Sequence, residues 1–236
     1  MEILGVIPAR GGSKGIPRKN LSVLGGRPLI AHTCDAARAS RRLTRVVVST
    51  EDEEIAAAAR RSGVEVPFLR PPALAADETP MLDVLLDLLS TLERGAYRPD
   101  AAVLLQPTSP FRRAEHIDAA VDLLVSSGAD AVVSVVAVPH QFTPSSLMRL
   151  DGDHLVPADA APGPLRRQEK PALFARNGPA VVAVRTSVLF EQRTLYGHDT
   201  RALVMSREDS LDIDDAFDLE LAELLLAARA AGRSLA

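Results

Sequence analysis

Glu2-Ile3-Leu4-Gly5-Val6-Ile7-Pro8-Ala9-Arg10-Gly11-Gly12-Ser13-Lys14-Gly15-Ile16-Pro17-Arg18-Lys19-Asn20 begins as an apolar run and turns abruptly into glycines and cations. The run at 2–8 reads as a strand entering a buried sheet, with no break before the loop that follows. In that loop the glycines let backbone N–H groups turn towards a phosphate chain, and Arg10, Lys14, Arg18 and Lys19 can neutralise it. A phosphate cradle and a solvated basic turn both fit these residues. The spacing is neither GxGxxG nor GxxxxGK followed by Ser or Thr, so it indicates neither a dinucleotide fold nor a P-loop.

Outward from that stretch, short Val/Ile/Leu-rich runs alternate with longer amphipathic segments. Strands are expected near 45–49, 101–105, 131–137, 180–185 and 202–206, with a short one at 64–69, and helices near 28–40, 51–62, 80–94, 114–127 and 214–231. This is the pattern of an α/β fold, a mostly parallel, doubly wound sheet with helices on both faces. In the last helix Phe217, Leu221, Leu224, Leu225 and Ala228 recur on one face, and Asp214 or Asp215 can cap its start. Between 138 and 176 prolines at 139, 144, 157, 162, 164 and 171 erase both periods. That segment reads as an excursion from a single domain spanning 1–236, one that packs on something, with a second subunit the candidate.

The 236 residues suffice for one substantial core. A net charge of −4 makes nucleic acid a poor partner, so the cations gathered at 10–19 point instead to a small anion. No apolar run reaches the roughly 18 residues of a membrane span, and the first residues lack the pattern of a secretory signal, so the cytoplasm is the expected location. Cys34 is the single cysteine, so it has no disulfide partner within the chain and reads as a small buried residue. His140 has no second His or Cys at ligand spacing and reads as a packing or pocket-lining residue.

Two further constellations carry chemistry. Gln106 ends the apolar run 101–105, and ligands of open α/β sheets gather at the carboxyl ends of strands, where an uncharged amide can read a hydroxyl. Asp212 and Asp214, two residues apart in an extended segment, present both carboxylates on one side, as Mg²⁺ requires alongside phosphate oxygens and water. Helix capping by an acidic cluster that includes Asp215 is the competing reading. Thr108, Ser109 and Pro110 read as turn-shaping residues, and Arg112 stays open between a site role and a surface charge.

The stretch at 7–20 resembles the N-terminal signature of the acylneuraminate cytidylyltransferases, which make CMP-sialic acid and related CMP-nonulosonic acids. Leu69-Arg70-Pro71 ahead of Asp77, Leu105-Gln106-Pro107-Thr108-Ser109-Pro110-Phe111-Arg112, Arg176-Asn177-Gly178 and Ser210-Leu211-Asp212-Ile213-Asp214 resemble the same family in the same order. The resemblance implies that Arg10, Ser13, Lys14 and Lys19 contact the triphosphate, with Arg10 and Lys19 catalytic, and that Asn20 and Arg70 hold the base. It gives Gln106, Arg167 and Asn177 to the acceptor and Asp212 and Asp214 to Mg²⁺.

The implied reaction is transfer of CMP from CTP to the anomeric hydroxyl of a nonulosonic acid, by a homodimer that meets through the 138–176 excursion. The run Pro179-Ala180-Val181-Val182-Ala183 lacks the aromatic residue expected there in the sialic-acid enzymes, which leaves the acceptor open. An eight-carbon keto-deoxy sugar acid, a phosphonate, GTP in place of CTP, and a non-catalytic nucleotide-binding subunit are the alternatives.

Overall fold

A computed structural model describes residues 1–158, 166, 168, 170–178 and 180–233. Strand β1 (Ile3–Pro8) is buried along its whole length and lies between β4 (Arg45–Ser49) and β5 (Ala101–Leu104), parallel to both. Its side chains alternate between two cores. Ile3 and Ile7 face one with helices α1 (Leu29–Ala39), α2 (Glu53–Arg61) and α4 (Ala114–Ser127), while Leu4 and Val6 face another with α3 (Met81–Arg94). Helices on both faces of a mostly parallel sheet are what the sequence pattern predicts. Cys34 lies in the first core, fully buried, and burial pushes its thiol up to about 12.

The sheet runs β11 (Thr200–Met205), β6 (Ala131–Ala137), β10 (Val182–Arg185), β5, β1, β4, with β9 (Phe174–Arg176) added to the end of β6. Strands β9 and β10 run antiparallel to their neighbours. The expected strand at 64–69 is absent: the chain touches the sheet edge at a single bridge between Val47 and Glu65. Val64 and Val66 are buried without forming a ladder, because the apolar residues that suggested a strand plug the core beside β4.

The described part of the excursion carries more regular structure than the faded periodicity implies. Strands β7 (Met148–Asp151) and β8 (His154–Pro157) pair as an antiparallel hairpin, and β9 returns to the main sheet. Both hairpin faces are largely exposed, so no buried face imposes an alternation for the sequence to show.

Helix α5 (Ala216–Ala230) also departs from its sequence reading. Phe217 and Leu224 of the expected core stripe are 71% and 69% exposed, while Ala222 and Leu225 carry the packing against Leu24, Leu29, Phe111 and Ile213. The helix is apolar over more than one face, and periodicity cannot choose which one meets the domain. Its cap is Asp215, whose carboxylate accepts from the Asp218 N–H while Asp218 accepts from the N–H groups of Asp214 and Asp215.

Arg112 proves to be an internal tie. It is 2% exposed and donates to the carbonyls of Gln106 and Ala180, at 3.0 and 2.9 Å, and to the Thr33 hydroxyl. One guanidinium thus joins the turn after β5 to α1 and to the approach to β10. Arg112→Ala leaves these three acceptors without their donor, and about 3 kcal/mol of stability should be lost in urea unfolding. A loss below about 1 kcal/mol would mean that water serves them as well.

Candidate active site

The carboxyl end of β1 opens into a cleft of about 320 Å³ that gathers most of the residues singled out in the sequence. Arg10, Gly12, Ser13, Lys19 and Asn20 come from the basic loop, Arg70 from the segment after the Val47–Glu65 bridge, Gln106 from the end of β5, and Asp212 and Asp214 from the approach to α5. Lys14 stands 76% exposed at the rim. Asn177 does not line the cleft, and Arg167 lies outside the described residues.

The loop is held by acids at the start of α2. The Gly11 N–H donates to Glu51 at 2.7 Å, and Arg18 pairs with Asp52, which also caps α2 through the N–H groups of Glu54 and Ile55. Asn20 is buried and donates to the Arg10 carbonyl at 2.9 Å, closing the loop on itself. Arg70 is 5% exposed, with its guanidinium bound to the hydroxyl and carbonyl of Ser49, and burial pushes its pKa down. That side chain is fixed before any ligand arrives.

The two ends of the chain meet in the cleft. Lys19 Nζ donates to the Ile213 carbonyl at 2.8 Å and pairs with Asp214 at 3.2 Å. A Cβ on Gly15 would stand 2.1 Å from the Asp214 carbonyl oxygen, so the loop can approach this segment only with glycine there. The Thr108 carbonyl accepts from the Ile213 N–H, and the Ser109 hydroxyl donates to Asp212 Oδ1 at 3.2 Å. The turn residues of 108–109 therefore anchor the acidic segment, a role their sequence context did not reveal.

Asp212 and Asp214 fit a hard divalent cation. Desolvation, and then the neighbouring Asp214 charge, pushes the Asp212 carboxyl above its ordinary value, the mark of a carboxylate whose charge lacks sufficient compensation. Capping does not occupy either side chain, since Asp215 caps α5. Among the described residues no third His, Cys, Asp or Glu completes an all-protein cage. Mg²⁺ suits such an incomplete set because it retains water and takes ligands from substrate phosphates.

A residue the sequence reading left without a role, Asp77, sits where an anion belongs. Its carboxylate bridges Arg10 at 2.6 Å and Lys14 at 3.1 Å, and these partners, Lys14 first, pull its pKa down. A phosphate group bound between both cations competes with it. Asp77→Asn should therefore tighten binding of inorganic pyrophosphate several-fold by calorimetry, more so at low salt, and unchanged affinity would show that the bridge does not compete.

A family model described as Cytidylyltransferase matches residues 4–221. The CMP-N,N'-diacetyllegionaminic acid synthase of Legionella pneumophila is 38% identical over 229 residues, covering 96% of this chain and 97% of that protein. The N-acylneuraminate cytidylyltransferases of Streptococcus agalactiae serotype V and Escherichia coli O18:K1:H7 are 35% and 33% identical, over 92% and 94% of this chain. The chain spans 52% and 51% of those two proteins, about half their length. Among solved structures, CMP:2-keto-3-deoxy-manno-octonic acid synthetase complexed with CTP superposes with a TM-score of 0.74 at 19% identity, over 97% of this chain and 100% of that one, a likeness of fold.

Proposed function

The chain belongs to the cytidylyltransferase family, and on that premise we propose that it transfers CMP from CTP to the anomeric hydroxyl of a nonulosonic, sialic-like sugar acid. The observation that carries this reading is the convergence of the basic loop, Arg70, Gln106 and the Asp212–Asp214 pair on one cleft at the carboxyl end of β1 and β5. A nucleotide-binding subunit without catalysis has no need of paired carboxylates facing a phosphate loop. The legionaminic acid synthase, matched along nearly its whole length, supports a nonulosonic acceptor over an eight-carbon acid.

In the proposed reaction the sugar oxygen forms a bond to the α-phosphorus, the bond to the β-phosphate oxygen breaks, and pyrophosphate leaves while the hydroxyl proton passes to solvent. Arg10, once released by Asp77, donates two parallel hydrogen bonds to the α-phosphate, where charge grows as the hydroxyl adds. Lys19 reaches the phosphates from its seat on the Ile213 carbonyl, and Ser13 and Lys14 hold the outer phosphates. Asn20 and Arg70 hold the base, both already fixed by hydrogen bonds. Gln106 orients the acceptor, whose carboxylate Arg167 would meet. Mg²⁺ held by Asp212 and Asp214 would neutralise phosphate charge when bound. Positioning and fixed charge supply most of the rate, as in phosphoryl transfer generally.

A pyrophosphate-release screen of the four nucleoside triphosphates against nine-carbon and eight-carbon 2-keto-3-deoxy acids tests the reading. CTP with a nine-carbon acid should give the highest kcat/KM. Equal efficiency with GTP would remove base reading from Asn20 and Arg70, and preference for an eight-carbon acid would replace the acceptor.

The reading extends to a cytoplasmic homodimer. Among the described residues no helix is long and apolar enough to cross a membrane. Phe142, Leu147, Met148, Leu150, Leu155 and Phe174 are exposed along the 138–176 excursion, apolar side chains that a second copy would cover. Light scattering at micromolar concentration should give twice the chain mass, and Leu150→Asp with Leu155→Asp should halve it. A monomer mass for the unaltered chain would exclude the dimer.

A further inference from the structure

The Asn177-Gly178 pair stands behind the cleft, and its contacts run to Asp212. Ser134 on β6 donates to Asn177 Oδ1 at 2.7 Å while accepting from the Val181 N–H. Both amide hydrogens of Asn177 are directed inward, to the Ser210 hydroxyl at 2.8 Å and the Met205 sulfur at 3.5 Å. With the side chain 5% exposed, its donors serve the frame, tying β6 and the end of β11 to a residue two places before Asp212.

Gly178 continues the contact on the other side. Its φ is +64, and a Cβ there would lie 2.8 Å from Asp212 Oδ2, 3.1 Å from Cγ and 3.3 Å from Oδ1. The carboxylate thus rests against the bare Cα of Gly178 while Ser109 holds Oδ1. Two independent restraints, a hydroxyl on one side and the absent side chain on the other, set where this carboxylate can sit.

We propose that Asn177 and Gly178 are positioning residues for the Asp212 carboxylate: Asn177 holds the segment before it through the Ser210 hydroxyl, and Gly178 leaves the space that this carboxylate occupies. This rests on the reading of Asp212 as a cation ligand, and it replaces the acceptor contact that the sequence resemblance implies for Asn177. Groups that orient a metal ligand typically change metal affinity by about 10- to 100-fold when altered.

Mn²⁺ binding in the presence of CTP, followed by electron paramagnetic resonance, reads the site without turnover. Gly178→Ala should weaken Mn²⁺ about tenfold or more. Ser210→Ala, which removes the Asn177 anchor without approaching any acceptor, should weaken it in the same direction and be non-additive with Asn177→Ala. Gly128→Ala is the control for backbone strain. Its φ is +71 with nothing within 4 Å of a Cβ, so it should lower Tm comparably and leave Mn²⁺ affinity unchanged.

Unaltered Mn²⁺ affinity in folded Gly178→Ala and Ser210→Ala, alongside weakened binding in Asp212→Asn, would overturn the positioning role alone. Unaltered affinity in Asp212→Asn would overturn the cation reading beneath it. Should Gly178→Ala fail to fold, Ser210→Ala and its cycle with Asn177→Ala decide the matter.

Discussion

The contact on which the site depends is the seat of Lys19 on the Ile213 carbonyl, formed between residues 194 positions apart. It fastens the loop after the first strand to the segment before the last helix, so the cleft closes only when the whole sheet has been laid down. Gly15 permits the approach, Thr108 receives the Ile213 N–H, and Arg112 braces the turn that carries both Thr108 and Gln106. Non-local anchoring of this kind gives a rigid site at the cost of slow assembly, since the loop-closure entropy must be met before the contacts form.

The cations of the basic loop are paired before any ligand enters. Arg10 and Lys14 share Asp77, Arg18 meets Asp52, and Lys19 meets Asp214. These pairs are partly or largely exposed and individually weak, so their value lies in orientation and not in stability. A side chain already held in one geometry by its partner loses little entropy when a phosphate replaces that partner. The net negative charge of the chain is compatible with an anion site for the same reason: the field that matters is local.

Much of this was legible in the sequence because it follows from local rules. An uninterrupted apolar strand running into glycines and cations placed the cleft, and the two-residue spacing of Asp212 and Asp214 placed the acids. What escaped was whatever depends on partners far along the chain. The reversed direction of β10 has no signature in its own residues, and the contiguous apolar faces of α5 gave no means of telling Leu225 from Leu224. Ser109 read as a turn residue and Asp77 had no assigned role until the fold set them beside Asp212 and Arg10. Asn177 was found by its motif, yet its hydrogen bonds to Ser134 and Ser210 join strands and loops that no spacing connects.

Cys34 gives the molecule a practical property. Its sulfur lies sealed in the core beneath α1 and stays protonated at neutral pH, because burial holds the thiolate out of reach. The folded chain therefore shields this position from reagents in solution. Since only opening of the core exposes the sulfur, its rate of labelling by a thiol reagent is a clock for that opening, built into the protein at a single position without any engineered probe.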